Sequence, residues 1–89
     1  MANTTSIPSR ILRRHQVEHE TGYSRSTIYL RMKQGLWPKP VRLGPRAVGW
    51  PANEVAALNG ARIAGRSDDQ VRQLVERLET ARHRAAWEG

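Results

Sequence analysis

The stretch Arg13-Arg14-His15-Gln16-Val17-Glu18-His19-Glu20-Thr21-Gly22-Tyr23-Ser24-Arg25-Ser26-Thr27-Ile28-Tyr29-Leu30-Arg31-Met32-Lys33-Gln34-Gly35 decides the fold. Arg13 to Thr21 predicts a short helix with Val17 facing inward, stopped at Gly22. Ser24 is placed to cap the next helix, its hydroxyl accepting from an early backbone N–H. That helix runs to about Gln34 and ends at Gly35, a residue suited to the left-handed turn of a helix C-terminus. Two short helices joined by a few residues that include glycine make a helix-turn-helix.

Working outward, Trp37-Pro38-Lys39-Pro40 is too rich in proline for helix. Val41-Arg42-Leu43 and Val48-Gly49-Trp50 each alternate in polarity around the turn residues Gly44-Pro45-Arg46-Ala47. This pattern predicts a hairpin, a wing with Arg42 and Arg46 projecting. Pro51 can open a third helix at its first position. That helix carries Val55 and Leu58 inward and is expected to weaken or end at Asn59-Gly60. Ser67-Asp68-Asp69-Gln70 is a capping box, with acids also favoured there by the helix dipole. Val71, Leu74, Val75, Leu78, Ala81 and Ala85 then share one face.

The expected fold class is therefore mainly α with a small β-hairpin wing: a winged helix-turn-helix plus a C-terminal helix. Residues 1–8 are expected to be a disordered N-terminal tail, 9–64 the winged domain and 67–87 the C-terminal helix. Two roles compete for that last helix, pairing with a second copy or folding back over Val55 and Leu58. Its heptad repeat is short and leans on alanine, so pairing in isolation would be marginal. Fold-back is the expectation, with any homodimer forming by cooperative assembly on adjacent DNA half-sites.

Charge placement points to the partner. The net charge of the 89 residues is +7. Residues 1–50 hold nine Lys and Arg against two acids and so account for all of it, while 51–89 hold six Arg against six acids. A solubility surface intersperses both signs. A cationic half beside a balanced half suits a polyanion, whose condensed counterions are released on binding. Cysteine is absent, so no disulfide or thiolate metal site can form. No signal-peptide pattern or long apolar run is present. The chain is expected to be cytoplasmic and nucleoid-associated, with no membrane partner, no cofactor, no metal and no enzymatic activity. His15-Gln16-Val17-Glu18-His19 matches the H-x-x-E-H pattern of zinc peptidases. A zinc site needs a further ligand and a substrate cleft, so the histidines read instead as an exposed helix side. Trp37 and Trp50 could offer stacking platforms, but core packing is expected of such large aromatics.

In the second helix Ile28 and Met32 face the core, and Ser26, Tyr29, Leu30 and Lys33 fall together on the opposite face. An outward leucine fits a major groove, where it can meet a thymine methyl. Ser26, Tyr29 and Lys33 would supply phosphate or base-edge hydrogen bonds around it, and Ser24 and Thr27 are counted with the same DNA-binding helix. Arg25 lies in the first turn, where recognition helices point toward bases. Arg31, on the flank, suits a phosphate. Arg13, Arg14, Lys39, Arg42 and Arg46 form the wing and flanking cations.

These residues carry a resemblance. Thr21-Gly22-Tyr23-Ser24-Arg25-Ser26-Thr27-Ile28-Tyr29, Met32-Lys33-Gln34-Gly35, Pro38-Lys39-Pro40-Val41, Leu43-Gly44-Pro45-Arg46-Ala47-Val48-Gly49-Trp50 and Glu54-Val55 resemble the AlpA family. That family comprises prophage-encoded transcriptional regulators related in fold to MerR-type and excisionase winged helices. The likeness covers residues 11 to about 64 and implies sequence-specific binding of double-stranded DNA at a mobile element. Leu58 stands where the family often has Trp, so looser packing of the third helix is expected. A recombination directionality factor acting architecturally at attachment sites is the nearest alternative. An antitoxin or adaptor module is another, and its affinity should barely depend on salt.

Overall fold

The computed structural model describes residues 10–88, with side chains as far as His83. The expected tail at residues 1–8 and the face position of Ala85 lie outside the described residues. The elements run β1 (Ile11–Leu12), α1 (Arg14–Thr21), α2 (Arg25–Lys33), β2 (Val41–Gly44), β3 (Ala47–Pro51), α3 (Ala52–Ile63) and α4 (Asp68–Glu88). This is a winged helix-turn-helix with a C-terminal helix, mainly α with a small antiparallel sheet.

Local signals close the first two helices. The Gln16 carboxamide oxygen accepts from the Arg13 N–H at 2.8 Å and fixes the start of α1. Gly22 ends it in the left-handed conformation, its N–H donating to the Glu18 carbonyl at 2.8 Å. After α2, Gly35 takes φ 77°, so that the Leu36 N–H reaches back to the Arg31 carbonyl at 2.8 Å and the Gly35 N–H to Met32 at 3.1 Å. This paired closure also turns Leu36 into the core, as its buried side chain shows.

The sheet has the order β1-β3-β2, with both pairs antiparallel. Its two-residue edge strand, β1, has no alternating pattern of its own and is not foreseen from sequence. Leu12 pairs with Trp50 and Ile11 with Pro51, and the Arg10 carbonyl accepts from the Ala52 N–H at 2.8 Å. The pairing depends on Gly49. A Cβ there would lie 2.5 Å from Ile11 Cγ2 and 2.8 Å from the Leu12 carbonyl oxygen, so only glycine admits β1 so closely.

Three expectations about the C-terminal half change. Pro51 ends β3 and stands as the N-cap of α3, one position earlier than expected. The helix does not end at Asn59-Gly60 but continues to Ile63. Two tertiary contacts hold the added turn, Asn59 Nδ2 donating to the Glu20 carbonyl at 2.9 Å and Arg62 Nη1 to the Thr21 carbonyl at 3.4 Å. A mid-helix glycine costs only about 1 kcal/mol against alanine, which such contacts offset. Leu58, expected to pack loosely, is 1% exposed.

The reason is α4. Ser67 and Gln70 form the reciprocal cap, at 2.9 and 3.2 Å, and the helix lies against α3. Val71 and Val75 are buried with Leu58, Val55, Ile28, Val17, Leu12, Leu36 and both described tryptophans, and Leu74 and Leu78 pack on this core. The apolar face is shorter than expected, because Ala81 is exposed. In its place Arg82 reaches the buried Glu54 carboxylate through two bonds of 2.8 and 2.6 Å. Glu54 is 3% exposed, so its carboxylate takes its hydrogen bonds from that partner rather than from water.

Arg82→Ala is expected to destabilise the protein by roughly 3–5 kcal/mol, because it strands a buried carboxylate. The double variant Arg82→Ala, Glu54→Met should recover most of that loss. Urea denaturation of the wild type and the variants completes the cycle. Equal destabilisation by the single and double variants would mean that packing, rather than charge pairing, holds α4.

Candidate nucleic-acid interface

The geometry of α2 follows from its ends. Ser24 is the N-cap in extended conformation, and its Oγ accepts from the Thr27 N–H at 3.2 Å while donating to Thr27 Oγ1 at 3.0 Å. Ile28 is fully buried and Met32 packs on the core, which fixes the rotation of the helix. The opposite face is then open to solvent. Ser26 and Lys33 are exposed, Tyr29 is 40% exposed and Leu30 53%. Arg25 extends this face, with its guanidinium 5.9 Å from the Tyr29 ring centroid. The expected set of Arg25, Ser26, Tyr29, Leu30 and Lys33 is thus brought together on one surface. Ser24 and Thr27 stand at its edge and are partly occupied with each other.

The cations differ in what they do. Arg42 and Arg46 are exposed on the hairpin, Arg46 at the turn between β2 and β3. A register shift between Arg42 and Gly44 bulges β2 just before that turn. Neither arginine, nor Arg25 or Lys33, lies in a salt bridge among the described residues. Lys39 is exposed, while its N–H donates to Glu79 at 2.8 Å and its carbonyl accepts from Arg82. Arg13 spends its Nε on the Val48 carbonyl at 3.1 Å and so ties the start of α1 to the wing strand. Arg14 is paired with Glu18 one turn away.

Arg31, expected on the flank of α2, lies on its core-side flank. It does not join the outward face but is half-buried, with its guanidinium 5.6 Å from the Tyr23 ring centroid. The spacing contains the signal, since Arg31 follows the buried Ile28 by three residues and therefore flanks the core side. His15 and His19 are exposed on α1, and no group of three or more His, Cys, Asp or Glu among the described residues could hold a metal ion. Trp37 and Trp50 are 2% and 0% exposed, in the core as expected. The Trp50 indole donates to the Pro38 carbonyl at 2.8 Å, a contact without a signal in sequence. No helix among the described residues is long and apolar enough to cross a membrane.

Fold and surface together define a winged helix-turn-helix with a cationic outward helix face. The chain belongs to the AlpA family of phage and prophage regulatory proteins: the family model described as "Prophage CP4-57 regulatory protein (AlpA)" matches residues 10–57. It is also 47% identical over 57 residues to an uncharacterized protein, ORF88, of Enterobacteria phage P4, across 64% of this chain and 65% of that one. No solved structure matches the chain.

Ser24→Ala removes the side-chain acceptor at the start of α2. The expected loss is about 1 kcal/mol, with Ser24→Gly costing a few tenths. Thermal melting should show a fall of roughly 4–8 °C for the alanine variant.

Proposed function

We propose that this chain binds double-stranded DNA sequence-specifically and regulates transcription of a prophage or mobile element, with no catalytic step or cofactor of its own. In this reading α2 lies in a major groove and the hairpin rests on the phosphate backbone, in the cytoplasm where the DNA is. The observation that carries it is the outward face of α2, where Leu30 and Tyr29 stand exposed among Arg25, Ser26 and Lys33. An apolar centre ringed by hydrogen-bond donors matches a base-pair edge, with Leu30 on a thymine methyl and Arg25 able to bond a guanine through both its fork nitrogens. Arg42, Arg46 and Lys39 then meet phosphates, which position the protein without reading sequence. Arg13 acts one step back by holding the wing strand. Membership of a phage regulatory family supports the same reading.

Contact with roughly four to six phosphates per monomer predicts a log–log slope of affinity against salt of about −4 to −5. The measurement is fluorescence anisotropy on the native element's DNA, and a flat response would remove the proposal. On a preferred site, Arg25→Ala should cost about 1–3 kcal/mol at one base pair. Arg46→Ala should instead weaken all sequences alike. Competition between specific and random duplexes separates the two, and the reverse pattern would make the wing the reader.

A further inference from the structure

A cavity of about 230 Å³ lies between the α1–α2 turn, the end of α3 and the start of α4. Tyr23, Trp37, Arg31, Arg62, Arg66 and Asp68 line it. Arg31 enters from the core-side flank of α2, so the cavity is separate from the outward face of that helix. Leu58 and Val71 supply an aliphatic wall.

Donors outnumber acceptors here. The Trp37 indole Nε1 and Arg31 Nε are both buried with no hydrogen-bond partner. Both atoms are closed to water, so they show that the packing around the cavity is short of acceptors and are not themselves contacts for a bound group. Arg62 stacks on Tyr23 at 4.4 Å and makes one long bond of 3.4 Å to the Thr21 carbonyl. None of the three arginines is paired with a carboxylate among the described residues, and Asp68 is the single acid in the lining.

We propose that this cavity binds a small organic oxyanion, a carboxylate or phosphate group carried on an apolar or planar body. Such a group offers acceptors only, which is what the lining lacks. Arg31 and Arg66 form charge-assisted bonds to it through their terminal guanidinium nitrogens, beside the Trp37 indole. The body of the ligand lies against Tyr23, Leu58 and Val71. The volume falls below the 300–1,000 Å³ usual for drug-sized ligands, which sets the class as a small metabolite. The site is independent of the DNA-binding proposal and stands even if the chain never touches DNA.

The Trp37 and Tyr23 rings meet at 86° with centroids 5.9 Å apart. The test is an NMR titration of the ¹⁵N-labelled full chain, reading the indole N–H resonances. Benzoate and inorganic phosphate are the probes, with ionic strength held constant by chloride. Trp50 already donates to the Pro38 carbonyl and serves as internal reference. The expected result is a saturable shift of the Trp37 resonance, with that of Trp50 unchanged. Saturation by benzoate alone assigns a carboxylate on a planar body; saturation by phosphate alone assigns a phosphate. Arg66 is exposed, and Arg66→Ala should weaken binding about tenfold with the spectrum otherwise folded. Arg31→Met should do the same. A Trp37 resonance that ignores both anions would overturn the site. Binding that survives both substitutions, or shifts that map to Arg25, Lys33 and Arg46, would overturn it as well.

Discussion

The constraint on which the structure depends is the backbone of Trp37-Pro38-Lys39-Pro40, which leaves α2 and must enter the hairpin through the interior. Its prolines have no N–H, and no ladder or helix serves the segment. Three of its backbone polar groups are met from elsewhere. The Pro38 carbonyl accepts from the Trp50 indole, the Lys39 N–H donates to Glu79 and the Lys39 carbonyl accepts from Arg82. Buried backbone has to find such partners. Here they come from β3 and from one turn of α4. These contacts, with the burial of Trp37 and Pro38, hold the wing in a fixed relation to α2.

This gives α4 a structural role that its position outside the family-matched residues 10–57 does not suggest. Its Val71 and Val75 complete a core that a domain of some fifty residues could hardly close alone. Its Arg82 neutralises Glu54 and tethers the proline segment with the same guanidinium. Arg72 adds a bond of 2.9 Å to the Gln34 carbonyl at the end of α2. Both ends of the link between helix and wing are thus held from one helix.

Charge is divided along similar lines. Three acids of the C-terminal half, Glu54, Asp69 and Glu79, are engaged by Arg82, Arg72 and the Lys39 backbone. The exposed pairs Arg14–Glu18 and Arg72–Asp69 add little stability, as surface pairs generally do. Arg25 and Lys33 on the α2 face and Arg42 and Arg46 on the hairpin are among the cations in no salt bridge among the described residues.

What the sequence by itself determined was whatever rests on hydrogen bonds a few residues long. The cap at Ser24, the stops at Gly22 and Gly35, the box at Ser67 and Gln70 and the hairpin turn are all of that kind, as is the rotation of α2 set by Ile28. From these, the helix-turn-helix, the wing and the outward set Arg25, Tyr29, Leu30 and Lys33 were legible. Tertiary structure alone decided the features that join residues far apart in the chain. Strand β1 exists because Gly49 lacks a side chain opposite Ile11 and Leu12. Helix α3 passes through Gly60 because Glu20 and Thr21 receive its last turn. Arg82, at a position that reads as solvent-facing, turns inward because Glu54 is buried 28 residues earlier. Arg31, on the flank of α2, turns toward the core side because Tyr23 and the start of α4 leave a cavity there. Local signals carry no information about such partners, since the contacts form only after packing brings the elements together.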